Sequence, residues 1–240
     1  MIEVKSLVKE FEGKQVLRGL STTFIEGKTN LIIGQSGAGK TVFLKCLIGM
    51  IEPTSGEILF DGKDLASLPP LQLKKLRLQM GVLFQGSALF DNMTVLGNVL
   101  FPIEMFSKIS NSDKKEKAML LIKKVGLEKA IYKYPSEISG GMMKRCAIAR
   151  ALVNDPKYLF CDEPNSGLDP QTGEIIDNLL SQLTHERNIT TVINTHDMNS
   201  VKNIGEKIIF LDRGQKNWEG SYQEIEGTGT ARLKHFITFV

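Results

Sequence analysis

The chain contains few cysteines and no long apolar run. Its three cysteines, Cys46, Cys146 and Cys161, lie far apart in apolar segments. This pattern is typical of buried free thiols in a reducing compartment and argues against a disulfide framework. No apolar run approaches the roughly 18 residues that would span a bilayer. Met1–Lys5 alternates like a strand from its first residue, so we expect no signal peptide and a cytosolic chain that reaches a membrane only through a partner.

An excess of charge of one sign is also absent. The chain has 30 Lys and Arg against 27 Asp and Glu, a net charge of +3, which is too small and too dispersed to indicate a nucleic-acid partner. With 240 residues, 42% of them hydrophobic, the chain is large enough for one α/β domain that carries an inserted subdomain.

Buried strands alternate with helical segments, which predicts a largely parallel sheet with helices on both faces. The predicted strands are Ile2–Leu7, Gln15–Leu17, Leu20–Ile25, Thr29–Ile33, Gly81–Phe84, Tyr158–Cys161, Thr190–Asn194, Lys207–Leu211 and Gln215–Trp218, with a hairpin at Gly56–Gly62. The predicted helices are Lys40–Gly49, Leu71–Leu78, Val95–Phe101, Ser112–Val125, Met142–Val153, Gln171–Glu186 and Arg232–Phe236. We therefore expect one domain over residues 1–240, with a mixed β/α core at 1–84 and 157–240 and a helical insertion at 85–156.

A phosphate-binding loop is the strongest local signal. It consists of Gly34, Gln35, Ser36, Gly37, Ala38, Gly39, Lys40 and Thr41, between an apolar strand and a helix. Its small residues let backbone N–H groups surround phosphates, and the helix N-terminus adds about half a positive charge. Lys40 is expected to reach the β- and γ-phosphates of ATP, and Thr41 to ligate Mg²⁺. The alternative is a glycine-rich turn that only starts a helix.

Polar residues follow two of the predicted core strands directly. Asp162 and Glu163 come after Tyr158–Cys161, and His196 follows Thr191–Thr195. We assign Asp162 to Mg²⁺, Glu163 to polarising the attacking water, and His196 to the γ-phosphate. The alternatives are solvated acids at a strand end and a structural histidine.

Two further residues are candidates for the same site. Gln85 lies where a core strand meets the helical insertion, so its amide is placed to orient water or ligate Mg²⁺, although an ordinary loop glutamine explains it equally well. Phe11 is a candidate for stacking on a purine ring, against the alternative of a plain hydrophobic contact.

A second helix start resembles an anion site. Ser139, Gly140 and Gly141 place a serine cap and two glycines at the beginning of a long helix, which leaves N–H groups uncovered at its positive end. A second copy of the chain is able to supply this helix to a bound γ-phosphate. We therefore predict a head-to-tail homodimer with two buried ATP molecules, and Asp169 between the two sites.

Together these segments resemble an ABC transporter ATPase over essentially the whole chain. Gly34–Thr41 is similar to its Walker A motif, Gln85 to the Q-loop, Ile138–Gly141 to the signature, Tyr158–Glu163 to Walker B, Ser166–Asp169 to the D-loop, and His196 to the switch histidine. The resemblance implies a P-loop NTPase fold with a RecA-like core, an N-terminal antiparallel β subdomain and a helical signature subdomain. It also implies ATP and Mg²⁺ as ligands and a membrane permease as partner.

A finer resemblance is to the ATPase of Mla-type phospholipid transporters. It rests on Leu83–Val95, Asn98–Val99, Phe101–Pro102 and Ser139–Arg145, including Met142 where the commoner signature has Gln. It implies a lipid-binding MCE-domain partner and a position on the cytoplasmic face of a Gram-negative inner membrane. Leu89, Phe90, Met93, Val95 and Phe101 fit a permease-docking groove or a plain core role. The alternative cargoes are those of an amino-acid importer, a lipoprotein-release system or an efflux system.

Overall fold

The computed structural model describes residues 1–239. Within them, ten strands form a four-stranded and a six-stranded sheet. The smaller sheet is antiparallel, with the order β2-β1-β4-β5. Its strands are β1 (Ile2–Phe11), β2 (Lys14–Phe24), β4 (Ser55–Phe60) and β5 (Lys63–Asp64).

The larger sheet carries most of the core and has the order β10-β9-β3-β8-β7-β6. Its strands are β3 (Thr29–Ile33), β6 (Met80–Leu83), β7 (Tyr158–Asp162), β8 (Thr190–Thr195), β9 (Lys207–Asp212) and β10 (Gln215–Gly220). Five of them are parallel, and β10 pairs antiparallel with β9. The predicted fold class, a mixed α/β core with an N-terminal antiparallel sheet, is confirmed.

One strand prediction was wrong. The predicted strands Gln15–Leu17 and Leu20–Ile25 are one continuous strand, β2, which ends at Phe24. Leu7 pairs with Leu20 and Val8 with Arg18, so Gly19 is the extra residue of a β-bulge, with φ of 71°. Glycine adopts this conformation without a steric penalty, and the strand continues through it.

Nine α-helices and three short 3-10 helices accompany the strands within residues 1–239. The α-helices are α1 (Lys40–Leu47), α2 (Pro70–Arg77), α3 (Val95–Phe106), α4 (Asn111–Lys124), α5 (Gly140–Leu152), α6 (Pro170–Arg187), α7 (Met198–Ile204), α8 (Ile225–Thr228) and α9 (Ala231–Phe239). In this part of the chain no helix combines the length and the apolar character needed to cross a membrane.

Helix α3 is longer than predicted, because it continues through Pro102 to Phe106. Val95, Val99 and Ile103 lie on one buried face at a spacing of four. Proline removes one helical hydrogen bond, but burial of this apolar face on both sides of the proline stabilises the helix.

The core lies on both faces of the larger sheet, and every residue of β3, β7 and β8 is buried. Cys46, Cys146 and Cys161 are free and buried in this core, as predicted. Burial raises the pKa of each thiol, so these thiols stay protonated and unreactive.

The sheet also places the candidate residues. Because β3, β7 and β8 are adjacent and parallel, their carboxyl ends meet at one edge, and the segments that follow them lie side by side. Helices α3 to α5 come between β6 and β7 in the chain. The exact division into a core and an insertion at residues 85–156 stays a prediction.

Candidate functional site

The phosphate-binding loop joins β3 to α1 and leaves the start of that helix uncovered. Gly39 precedes α1 with φ of 102°, and no side chain caps the helix. A Cβ on Gly34 would lie 2.3 Å from the carbonyl oxygen of Leu211, so only glycine fits there. The free N–H groups and the helix dipole form an anion site.

Lys40 is folded back over this loop. Its side chain is buried, and Nζ donates to the carbonyls of Gly34 at 2.7 Å and Gln35 at 3.3 Å. Nζ also lies 3.9 Å from Oε1 of Glu163. Burial lowers the pKa of Lys40, while the nearby carboxylates of Glu163 and Asp162 act in the opposite direction. The amine is therefore held at the loop by partners that a phosphate can replace.

Asp162 is buried at the end of β7 and receives two hydrogen bonds on one oxygen. Thr41 Oγ1 donates to Asp162 Oδ1 at 3.2 Å, and Asn194 Nδ2 donates to it at 3.0 Å. Oδ1 of Asn194 is buried and has no protein partner. The Thr41 hydroxyl and the Asp162 carboxylate are oxygen donors that fit a hydrated divalent cation such as Mg²⁺. Sequence reasoning missed Asn194, whose only signal was a polar residue inside an apolar strand.

Glu163 and His196 face each other across the edge of the sheet. Oε2 of Glu163 lies 2.5 Å from Nδ1 of His196. Glu163 has the left-handed φ of 50°, and its N–H donates to the carbonyl of Asn194 at 3.0 Å. Such backbone strain in a residue other than glycine clusters at functional sites. The Glu163 carboxyl is mostly buried, whereas 59% of the His196 side chain is exposed.

Gln85 joins this site through contacts with one other loop and one helix. Its Nε2 donates to Ser166 Oγ at 3.2 Å, and its carbonyl accepts a hydrogen bond from Lys144 of α5. Arg150, also on α5, donates to the carbonyls of Ser87 and Ala88. Helix α5 therefore holds the segment that follows Gln85. Sequence analysis did not assign these contacts, because a lysine and an arginine on a helix look like solvated residues.

These groups surround one cavity of about 560 Å³. Its lining includes the phosphate-binding loop, Gln85, Glu163 and His196, together with the apolar side chains of Val16 and Phe236. The predicted stacking residue Phe11 is not part of that lining. It lies at the end of β1 and is 42% exposed, with Lys9 Nζ 4.8 Å from its ring centroid. Its contact with a purine stays a prediction, and Val16 and Phe236 are additional candidates.

The second predicted anion site lies outside this cavity. Ser139 caps α5 by accepting from the N–H of Met142 at 3.3 Å, and Ser139 and Gly140 are exposed. Asp169 caps α6 through the N–H and the hydroxyl of Thr172, and these hydrogen bonds lower the pKa of Asp169. A single chain thus presents the start of α5 on its surface.

The apolar segment after Gln85 is divided between core and surface. Val95 is buried in the core, and Leu89 packs partly buried against that core. Phe90 remains 39% exposed, with its ring centroid 4.7 Å from that of Phe101. The plain core role therefore holds for Val95, and Phe90 is the exposed member of the group.

Comparisons with known proteins agree with this geometry. A family model described as "ABC transporter" matches residues 17–166. The chain is 38% identical over 242 residues to the methionine import ATP-binding protein MetN 2 of Enterococcus faecalis, covering 99% of this chain and 70% of that protein. It is also 38% identical over 212 residues to the probable ribonucleotide transport ATP-binding protein mkl of Mycobacterium leprae, covering 88% and 61%.

Solved structures are similar over nearly the whole chain. A dimeric post-hydrolysis state of the ATP-binding cassette MJ0796, bound to ADP and Pi, superposes with a TM-score of 0.83 at 32% identity, covering 92% of this chain and 98% of that one. CbiO1 from Clostridium perfringens, part of the ABC transporter complex cbiONQ, has a TM-score of 0.87 at 30% identity, covering 95% and 90%. The predicted resemblance to ABC ATPases is confirmed. Neither of the two relatives named above is a lipid transporter by name.

The loop geometry predicts different effects at two of its glycines. Gly34→Ala should lower the free energy of unfolding and weaken ATP binding, because its methyl group meets the Leu211 carbonyl. Gly37→Ala, with φ of 80° but open space around it, should cost only the roughly 1–2 kcal/mol of left-handed strain. Urea unfolding and titration with a fluorescent ATP analogue measure both quantities. Equal losses in the two variants would contradict the predicted role of the Leu211 contact.

Proposed function

The chain belongs to the ABC transporter family and is an ATP-binding subunit that hydrolyses ATP, and from this premise we propose that two copies act as one composite engine on a membrane permease. The observation that carries the proposal is the position of Ser139 and Gly140. They form an exposed helix start outside the cavity that contains the phosphate-binding loop.

In this proposal the phosphate-binding loop and Lys40 hold the phosphates of ATP. The uncovered N–H groups at the start of α1 donate to phosphate oxygens, and Lys40 exchanges its carbonyl partners for the β- and γ-phosphates. The buried amine remains charged because the phosphates compensate it. Glu163, 3.9 Å from Lys40 Nζ, is then released for a separate role.

Thr41, Asp162 and Gln85 are the residues that would hold Mg²⁺. Thr41 and Asp162 already meet at 3.2 Å, and Asn194 orients the carboxylate by donating to it. When bound, the ion neutralises phosphate charge. Gln85 is tied to α5 through Lys144, so movement of that helix changes the position of the Gln85 amide.

We assign the proton-accepting role to Glu163. Its carboxylate borders the cavity beside His196, where it can accept a proton from an attacking water. His196 Nδ1 holds one carboxylate oxygen of Glu163, and its exposed ring borders the open side of the cavity, where it can contact the γ-phosphate. These two residues complete the part of the site that one chain provides.

The partner subunit supplies what remains. The start of α5, with Ser139, Gly140 and Gly141, offers N–H donors and a positive helix end to the γ-phosphate of the facing chain. Asp169 lies in the loop between the two sites. ATP then closes the dimer because each ATP molecule contacts both chains. Hydrolysis removes the contact between the γ-phosphate and the start of α5 in the facing chain.

For the cargo, two candidates have separate support. The name of the Enterococcus faecalis relative favours import of methionine or another amino acid, and this support is stronger than that for lipid. Phospholipid transport, with an MCE-domain partner, is favoured only by the Leu83–Pro102 segment and Met142. A methionine importer and a ribonucleotide transporter share the same 38% identity with the chain, so identity alone does not choose the cargo.

Replacing Glu163 with Gln tests the catalytic assignment. Glu163→Gln should lower turnover by roughly 10²–10⁴ because the proton acceptor is lost, while ATP binding persists. The variant should accumulate as an ATP-bound dimer in size-exclusion chromatography with light scattering. Lys40→Ala is the control and should lose ATP binding. Near-normal hydrolysis by Glu163→Gln would show that another group accepts the proton.

Purification from native membranes in mild detergent tests the cargo. An amino-acid importer should bring a permease and a solute-binding protein, and methionine-loaded binding protein should stimulate ATP hydrolysis in proteoliposomes. A lipid system should bring a permease, an MCE-domain protein and bound phospholipid. Phe90→Asp should release these companions, whereas Leu71→Asp, at an apolar and more exposed site on α2, should retain them. Recovery without any permease would contradict the transport proposal.

A further inference from the structure

A buried carboxylate lies beneath the catalytic loops and has no part in the mechanism described so far. Asp177 is on α6 and is only 1% exposed. Burial raises its pKa to about 6, with Asp197 and Glu174 adding to the effect, while hydrogen bonds from Ser200 and Asn165 act against it. A buried acid costs free energy unless its partners compensate it, so its contacts identify what it stabilises.

The first contact is with the loop that follows Glu163. Asn165 Nδ2 donates to Asp177 Oδ1 at 2.8 Å and also to Ser200 Oγ at 3.1 Å. Asn165 Oδ1 is buried without a partner, so the Nδ2 contacts orient this side chain. They fix the loop two residues beyond Glu163 and one residue before Ser166, which is the hydrogen-bond acceptor of Gln85.

The second contact is with the helix that follows His196. Ser200 lies on α7, is 1% exposed, accepts the hydrogen bond from Asn165 Nδ2 at 3.1 Å, and helps to lower the pKa of Asp177. Asp197, the neighbour of His196, caps α7 by accepting from the N–H of Asn199 at 2.8 Å. The backbone that carries His196 is therefore continuous with a helix that Asn165 joins to the same carboxylate.

Asn165 thus bridges Asp177 and Ser200, and we call these three residues the buried triad. It joins α6, the loop after Glu163 and α7. Above it, the two loops face each other across a cavity of about 480 Å³ whose lining includes Glu163, Ser166 and His196. Any shift of one loop relative to the other changes the 2.5 Å contact between Glu163 and His196.

We propose that Asp177 is a positioning residue for ATP hydrolysis: through Asn165 and Ser200 it holds Glu163, Ser166 and His196 in one mutual arrangement. The inference depends on hydrolysis at this cavity and is independent of the cargo. Misplacing catalytic groups by about 1 Å can cost up to roughly a hundredfold in rate. The phosphate-binding loop has no contact with the triad among the described hydrogen bonds, so ATP binding should be spared.

The test exchanges the two members of the amide–carboxylate pair. Asp177→Asn removes the negative charge and one of the two acceptor oxygens of the carboxylate, which weakens its hold on Asn165. The variant should lower kcat by roughly tenfold or more, with KM and the affinity for a fluorescent ATP analogue within about twofold of wild type. The double variant Asp177→Asn with Asn165→Asp restores one amide donor and one carboxylate acceptor. It should recover most of the lost kcat, because the hydrogen bond is rebuilt with its direction reversed.

A variant on the same helix separates positioning from stability. Thr184 is a buried polar residue of α6 whose hydroxyl bonds to Leu180 and Thr191. Thr184→Val should lower the melting temperature but leave kcat unchanged. If Asp177→Asn does not fold, Asn165→Ala and Ser200→Ala test the same contacts. Wild-type kcat in the Asp177→Asn or Asn165→Ala variants, or no recovery in a folded exchanged pair, would overturn the proposal. Loss of ATP binding together with kcat would also overturn it.

Discussion

The site depends on a balance of buried charges at one edge of the larger sheet. Lys40 and the start of α1 are positive, and Asp162 and Glu163, which are consecutive at the carboxyl end of β7, are negative. Removing any one of them leaves an uncompensated buried charge, which is costly. The same balance makes the site responsive to ligands. Phosphates that bind Lys40 replace its contact with Glu163, and the Glu163 carboxylate is then available to accept a proton.

Because these charges must stay close together, hydrogen bonds fix the positions of the surrounding loops. Asn194 holds both acidic residues. Its side-chain amide donates to the Asp162 carboxylate, and its backbone carbonyl accepts from the Glu163 N–H. Lys144 and Arg150 of α5 hold the segment after Gln85, and the buried triad holds the loops of Glu163 and His196. The helix that we propose to act on the partner's nucleotide is therefore the same helix that contacts Gln85 in its own chain. A change at one composite site has a direct physical route to the segment after Gln85, where we propose that the permease docks.

The parts that sequence reasoning predicted well are those encoded within short segments. The phosphate-binding loop, the Asp162–Glu163 pair and His196 each follow an apolar strand, and parallel pairing then brings their segments together. What it could not predict depends on contacts distant in sequence. Asp177 looks like a solvated acid on a helix until α7 covers it, and Lys144 looks like a surface cation until the Gln85 carbonyl meets it. Gly19 suggested a break between strands because a bulge and a turn use the same residue.

In the proposed mechanism the start of α5 completes the nucleotide site of the facing chain. Mixed dimers of a Lys40→Ala chain and a Ser139→Arg chain, purified through different tags, measure this directly. If the site is shared, both defects fall in one site of the mixed dimer and the other site is intact, so ATP hydrolysis returns. If each chain closes its own site, every site carries a defect, and the mixed dimer would hydrolyse ATP no faster than the two parent variants.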